Sequence, residues 1–215
     1  GVNLNYQVSN GGNTGYININ NNGLGTAKGD VVSIIQSGGS AITNLNMTGT
    51  SNQLTVGQSG GLGNSFTGTI NADETVATVS NTGGGGNSTT LNMTGNKGQV
   101  SVTTVGATNT TSVTQSAYGT TGAQAIINIT GSGNGTTVTQ SGLFDQYANI
   151  GVTGSSNTIS LAQSGGNGSG TGQSATMSIT GDSNVISATQ QGTVSNMLNM
   201  VVSGSTNHYT ILQKN

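Results

Sequence analysis

Few side chains in this 215-residue sequence could act on a substrate, and they are scattered. The acids are Asp30, Asp73, Glu74, Asp145 and Asp182, the single histidine is His208, and there is no cysteine. Catalysis needs an acid, base, nucleophile or metal held in mutual reach. Asp73-Glu74 is the one adjacent acidic pair; it could hold a cation weakly, but a solvated turn is the simpler reading. Alternation along its strand puts His208 on an outward face, where a lone histidine is ordinary surface. The run Gly83–Gly86 lacks the Lys and helix that follow a phosphate-binding loop. The Gly- and Asp-rich nonapeptide that binds calcium in some repeat proteins is missing. Triplets such as Asn46-Met47-Thr48 match the glycosylation pattern only as often as this composition produces it. No catalytic, cofactor-binding or metal-ligating residue is assigned, and no enzyme or cofactor is expected.

The chemistry that does recur is that of amides. An Asn and a Gln stand six positions apart at Asn52/Gln58, Asn109/Gln115, Asn134/Gln140, Asn157/Gln163, Asn184/Gln190 and Asn207/Gln213. Asp30/Gln36 repeats the spacing with Asp for Asn, and Glu74 to Ser80 and Gly98 to Thr104 read as eroded copies. Taking 36, 58, 80, 104, 140, 163, 190 and 213 as equivalent positions, most steps are 22 to 24 residues, with longer ones of 36 and 27. Repetition at this period is the signature of a solenoid.

Each unit divides into two short strands and two turns. The Asn-to-Gln segment is read as the second strand. First strands precede it at Asn44–Met47, Leu91–Met93, Ile127–Ile129, Ile150–Val152, Met177–Ile179 and Met200–Val202. A turn of the form Thr-Gly-x-x or Ser-Gly-x-x joins them, and a looser Ser-Gly turn of variable length follows. Period-2 alternation puts Asn157, Ile159, Leu161 and Gln163 on one side, with Thr158, Ser160 and Ala162 on the other. Stacking at about 4.8 Å per strand would then align the inward amides into vertical ladders. The ladder satisfies them, since a buried unpaired polar group costs about 1–3 kcal/mol.

The expected fold is thus an all-β solenoid of about eight two-strand rungs over residues 16–215. Residues 1–15 lie outside the repeat register, as a capping strand or a tail that pairs with a neighbour. The interval from Gly95 to Gln115 holds one copy too many. Either Leu91–Met93 stands outside the coil or part of Tyr118–Gln124 supplies a partner.

Composition bounds the rest. With 38 Gly, 4% charged and 30% hydrophobic residues, a thick two-layer core is hard to build. Such composition suits disorder, but the apolar residues are periodic and the formal charge is only −2. No apolar stretch is long enough for a membrane helix, no basic footprint suggests nucleic acid, and no polybasic stretch suggests anionic lipid. The start at Gly1 rather than Met suggests a processed form.

At the Asn-x5-Gln segments the chain resembles the curlin repeat, the unit of bacterial curli fibres. That unit has a first strand with Ser and Gln, a Gly-containing turn, then Gly-Asn-x-Ala-x-x-x-Gln. The second half matches at six places. The position two after Asn is mostly Ile, Thr or Leu here, and the first-strand Gln is replaced by Ile129, Val152, Ile179 or Val202. The resemblance implies a secreted, self-assembling amyloid-like subunit of a bacterial surface or biofilm matrix. It also implies a nucleator or secretion machinery as accessory partners, and polymerisation end to end. The terminal copy, with Asn207, Tyr209, Ile211 and Gln213 facing inward, is the expected subunit interface. Other functions remain open. One is a β-repeat adhesin or phage fibre. Another is an ice- or polysaccharide-binding solenoid, suggested by an outward column of hydroxyls at Ser33, Thr55, Ser101, Ser112, Thr137, Ser160, Ser187 and Thr210.

Overall fold

The computed structural model describes residues 1–9, 13–20, 29–37, 41–60, 63–83, 86–106, 108–116, 123–131, 133–142, 145–154, 156–165, 172–181, 183–192, 195–204 and 206–214. The fold is an all-β solenoid. Among these residues one face carries nine strands in the order β1 (Asn3–Ser9), β3 (Val31–Ser37), β5 (Gln53–Ser59), β7 (Val76–Thr82), β9 (Gln99–Val105), β11 (Gln124–Thr130), β12 (Tyr147–Thr153), β13 (Ser174–Thr180) and β14 (Met197–Ser203). The other carries five, in the order β10 (Thr111–Ser116), β8 (Thr89–Thr94), β6 (Ser65–Asp73), β4 (Ala41–Thr50) and β2 (Asn13–Asn20). Every pairing is parallel, and the two faces alternate along the chain from β1 to β11. Strands of one face can pair in parallel only if the chain crosses to the other side and returns, which is the coil.

The alternation anticipated from sequence sorts side chains on both faces. β5 runs exposed–buried from Gln53 to Ser59, and β6 from Ser65 to Asp73 likewise. The core is narrow, one to three inward apolar side chains per strand. Ile34, Val56, Val79, Val102, Ile127, Ile150 and Met177 stack along the nine-stranded face, all buried. Opposite them lie Leu45, Leu91 and Val113, with Val138 and Leu161 further along. Phe66 is the largest buried side chain. Its ring fills the space beside Gly68, where an added Cβ would stand 2.9 Å from Phe66 Cζ and 3.0 Å from Leu91 Cδ2.

The register extends one expectation and corrects two. First, the about eight rungs expected over residues 16–215 gain one further level on the nine-stranded face. The added level is the N-terminal one: β1 pairs with β3 from Asn3↔Val31 to Ser9↔Ser37, and β2 runs across the 15/16 boundary to pair with β4. Second, the Asn-to-Gln segments do not share a face. Asn52–Gln58 spans β5 on the nine-stranded face, whereas Asn109–Gln115 reaches β10 on the other. The surplus copy between 95 and 115 explains this. β8, with Leu91 and Met93, stays in the coil; β9 and β10 then carry consecutive copies on opposite faces, shifting the repeat by half a turn. Among the described residues no strand is left over; residues 118–122 lie outside them. Third, the eroded copy is Thr75 to Asn81 rather than Glu74 to Ser80, because Gln58 pairs with Asn81.

Beyond β10 the five-stranded face continues differently. Segments 134–140, 157–163, 184–190 and 207–213 are not part of a regular ladder, and an isolated bridge, Ser112↔Thr137, marks where it stops. Thr136 (φ 71°), Thr139 (φ 120°) and Ala162 (φ 139°) take backbone conformations that L-residues rarely adopt. These turn peptide planes out of the ladder direction. On this face side-chain bonds take over from the backbone ladder, while β11 to β14 keep theirs on the other.

Candidate functional site: two amide rails

The first rail is built of asparagines. Asn87 Nδ2 donates to Asn64 Oδ1 (3.1 Å), Asn109 to Asn87 (2.8 Å) and Asn134 to Asn109 (2.6 Å). Asn157 donates to Asn134, Asn184 to Asn157 and Asn207 to Asn184. The second N–H of four of these amides closes the tight turn before it. Asn109 reaches Gly106 O (3.0 Å), Asn134 reaches Gly131 O (3.0 Å), Asn157 reaches Gly154 O (2.9 Å) and Asn184 reaches Gly181 O (3.2 Å). That turn requires glycine. At Gly154 φ is 151°, and a Cβ would fall 1.5 Å from the carbonyl oxygen of Gly131 in the level below.

The second rail is built of glutamines. Gln115 Nε2 donates to Gln140 Oε1 (2.9 Å), Gln140 to Gln163 (2.6 Å), Gln163 to Gln190 (2.6 Å) and Gln190 to Gln213 (2.8 Å). Its other N–H reaches the backbone where the next level's strand approaches: Gln115 to Gln124 O (3.1 Å), Gln140 to Tyr147 O (3.1 Å) and Gln163 to Ser174 O (3.2 Å). These bonds span 9, 7 and 11 residues. The looser turn can therefore vary in length without disturbing the coil.

The rails run in opposite directions. Asparagine N–H groups point toward the N-terminal end, and glutamine N–H groups toward the C-terminal end. Each amide nitrogen in a rail can also face a backbone acceptor beside it, but that acceptor does not set the direction, since Gln58 uses the equivalent Ser65 O and donates toward the N-terminal end. Unmatched atoms fall where the directions place them. Gln115 Oε1 and Asn64 Nδ2, on the first member of each rail, make no hydrogen bond among the described residues.

Of the sequence-predicted residues, Asn109, Asn134, Asn157, Asn184 and Asn207 share one rail, and Gln115, Gln140, Gln163, Gln190 and Gln213 share the other. Gln36, Asn52 and Gln58 stand apart on the nine-stranded face. There Gln58 Nε2 donates to Gln36 Oε1 (3.0 Å) and to Ser65 O (2.8 Å), and Thr43 Oγ1 donates to Gln36 Oε1. Asn52 accepts from the Asp30 backbone N–H (3.1 Å) instead of from an amide. In the terminal level, Asn207, Tyr209, Ile211 and Gln213 are all exposed.

Sequence reading missed two sets of residues. Asn64 and Asn87 extend the asparagine rail although Ile70 and Met93 stand where a Gln would be; the preceding Gly63 and Gly86 were the available signal. Gln146, Gln173 and Asn196 each stand one residue before a strand and donate to a neighbouring level's backbone, at Ser164 O (2.6 Å), Gln191 O (2.5 Å) and Lys214 O (2.6 Å). A recurrent amide immediately before a first strand was visible and unused.

The ionisable groups form no constellation. Among the described residues no three His, Cys, Asp or Glu come together. Glu74 receives bonds from Lys97 Nζ (2.8 Å) and Ser51 Oγ (3.1 Å), and these hold its carboxyl below the usual range, the Lys97 bond first. Asp73 Oδ1 accepts from the Asn96 N–H (2.7 Å), so the acidic pair ties one turn to the next. The hydroxyl column is also regrouped. Ser33, Thr55 and Ser101 belong to the nine-stranded face, while Thr67 and Thr90 precede Ser112 and Thr137 on the other.

No protein-family model matches the chain, and comparison with curated proteins and with solved structures returns no match.

Proposed function

We propose that the protein is a structural subunit of an extracellular fibre, polymerising head to tail by stacking one coil on the next. The observation that carries this reading is the match between its two edge levels. β1 and β14 are the edge strands of the nine-stranded face, and both run exposed–half-buried with the same alternation. Leu4, Tyr6 and Ile17 at one end, and Leu198, Met200 and Val202 at the other, pack against the core on one side only. A parallel strand added to β14 would cover its apolar row and extend both backbone ladder and rails, as edge strands invite. Asn207 Oδ1 would take a donor, and Gln213 Nε2 would offer one.

The resemblance of the Asn-x5-Gln half to the curlin repeat supports the same reading, with secretion and a bacterial surface matrix as its setting. Partners are then copies of this chain, with a nucleator or export apparatus as accessories.

The test is assembly of the purified chain, followed by negative-stain microscopy and fibre diffraction. Filaments with a repeat of about 4.7–4.8 Å along the axis are expected. Met200→Lys buries a charge in the added interface and should leave a folded monomer, while Met197→Lys, on an outward side chain 64% exposed, should leave filaments unchanged. A wild-type chain that stays monomeric at high concentration, or Met200→Lys filaments indistinguishable from wild type, would overturn the reading.

A further inference from the structure

The five-stranded face carries a depression of about 430 Å³ at its N-terminal end. Its rim is formed by six outward side chains, Tyr16, Asn18, Asn44, Asn46, Thr67 and Thr69. The register places them in two columns, Tyr16–Asn44–Thr67 and Asn18–Asn46–Thr69. Neighbours within a column stand about 4.8 Å apart and the columns about 7 Å apart, from strand spacing and rise. Tyr16 is 80% exposed, the most exposed large hydrophobic side chain among those described. Small side chains on β4 and β6 leave a trough beside it.

From these residues we infer that the depression binds a neutral polysaccharide, with one pyranose ring packed on Tyr16 and its hydroxyls bonded to the amides and threonines. The chemistry fits on three counts. None of the six is an Asp, Glu, Lys, Arg or His, so nothing in the rim selects a charged polymer. A sugar ring presents a C–H face, which an exposed aromatic ring covers, while its edge is a row of hydroxyls. Asn offers donor and acceptor together, and Thr does so through one oxygen, so each can answer a hydroxyl in either sense. A small number of polar groups around an apolar floor is the usual make-up of a ligand depression.

The trough is also open in the direction a polymer would need. Past Thr67 and Thr69 the same two columns continue as Thr90 and Asn92, then Ser112 and Thr114. A linear glycan can lie along them parallel to the coil axis, anchored at Tyr16. The segment 21–28 that follows β2 lies outside the described residues and is not part of the site.

The experiment uses the Met200→Lys chain, so that retention on a glycan is read separately from filament formation. Sedimentation with microcrystalline cellulose and with chitin, and affinity electrophoresis in soluble dextran, supply three neutral probes; alginate supplies an anionic one. Binding to at least one neutral probe is expected, weakened about tenfold or more by Tyr16→Ala and largely kept by Tyr16→Phe. Asn44→Ala with Asn46→Ala should also weaken it, with the thermal melt unchanged. Three outcomes would overturn the inference: no retention on any neutral probe, equal retention of Tyr16→Ala, or preference for alginate. Thermal hysteresis that survives Tyr16→Ala, without glycan retention, would assign the hydroxyl columns to ice instead. Loss of filaments in the wild-type background leaves each of these readouts intact.

Discussion

The two halves of this coil solve one problem in different ways. Between Asp30 and Thr94 both faces carry regular parallel ladders, and bulky residues fill the interior: Met47, Phe66, Ile70, Leu91 and Met93. Its amides are poorly matched; Gln36 Nε2, Asn52 Nδ2 and Asn81 Oδ1 find no partner among the described residues. Beyond β10 the five-stranded ladder ceases, yet among the rail amides Asn109, Asn134, Asn157, Asn184, Gln115, Gln140, Gln163 and Gln190 only Gln115 Oε1, at one end, is buried without a partner. The comparison shows when a rail works. An amide is fully used only when its equivalents lie directly above and below on the same face. In the first half Gln36 and Gln58 are followed by Asn81 and then Thr104, so the run is broken. In the second half like follows like, and side chains carry the stacking that the backbone gives up.

The first half should therefore fail by cavity and the second by lost hydrogen bonds. The largest expected effect is Phe66→Ala, costing about 4 kcal/mol, because the ring is fully buried and Gly68 beside it leaves the space empty. Its counterpart Ile186→Val should cost about 1 kcal/mol. Urea denaturation of the monomeric background measures both; similar losses would erase the proposed division.

Next is Gly154→Ala, which forces a Cβ onto the Gly131 carbonyl at a φ of 151° and should cost about 3 kcal/mol. Gly57→Ala, with nothing within 4 Å of the added Cβ, should be close to neutral. Hydrogen exchange would localise the first loss to levels around 131 and 154.

Asn157→Ala tests the rail itself. It removes bonds to Asn134 and Gly154 O and leaves Asn184 without its acceptor, for about 3 kcal/mol in all. Asn52→Ala removes one bond and an already unmatched donor, and should cost about 1 kcal/mol. Equal costs would mean that the second half gains nothing from continuity.

The smallest effect concerns the exposed pair Glu74–Lys97. Glu74 is held below its ordinary 4.5 and Lys97 above its ordinary 10.5, each chiefly by their mutual hydrogen bond. The acid's contribution is present above 4.5 and lost as pH falls through its lower folded value. The lysine's is present below 10.5 and lost as pH rises through its higher one. Stability should thus be flat across the neutral range, and Lys97→Met should return Glu74 toward 4.5 in an NMR titration without shifting the melt measurably.

Much of this was legible in the sequence. Asn157, Ile159, Leu161 and Gln163 were placed inward by alternation alone, and the amide ladder followed from the six-residue spacing. The Ser80 assignment failed because Ser80 and Asn81 can each donate and accept a hydrogen bond; only pairing with Gln58 distinguishes them. Asn64 and Asn87 were hidden because Ile70 and Met93 complete their strands with apolar ends, so the two-residue motif is half absent. The Tyr16 depression was not legible at all. Its six residues come from three strands, and Tyr16, Asn44 and Thr67 have no regular spacing along the chain.

The sequence by itself determined the coil: period-2 alternation separates inside from outside, and the repeat forces stacking of equivalent residues. Which face each copy occupies was decided only by the tertiary structure. A strand's alternation is the same on either face, so face depends on how many strands separate two copies, and the closely spaced copies at 98–104 and 109–115 shift the register by half a turn. The opposed direction of the two rails was likewise settled in space, because the six-residue spacing of Asn and Gln is the same whichever way their amides donate.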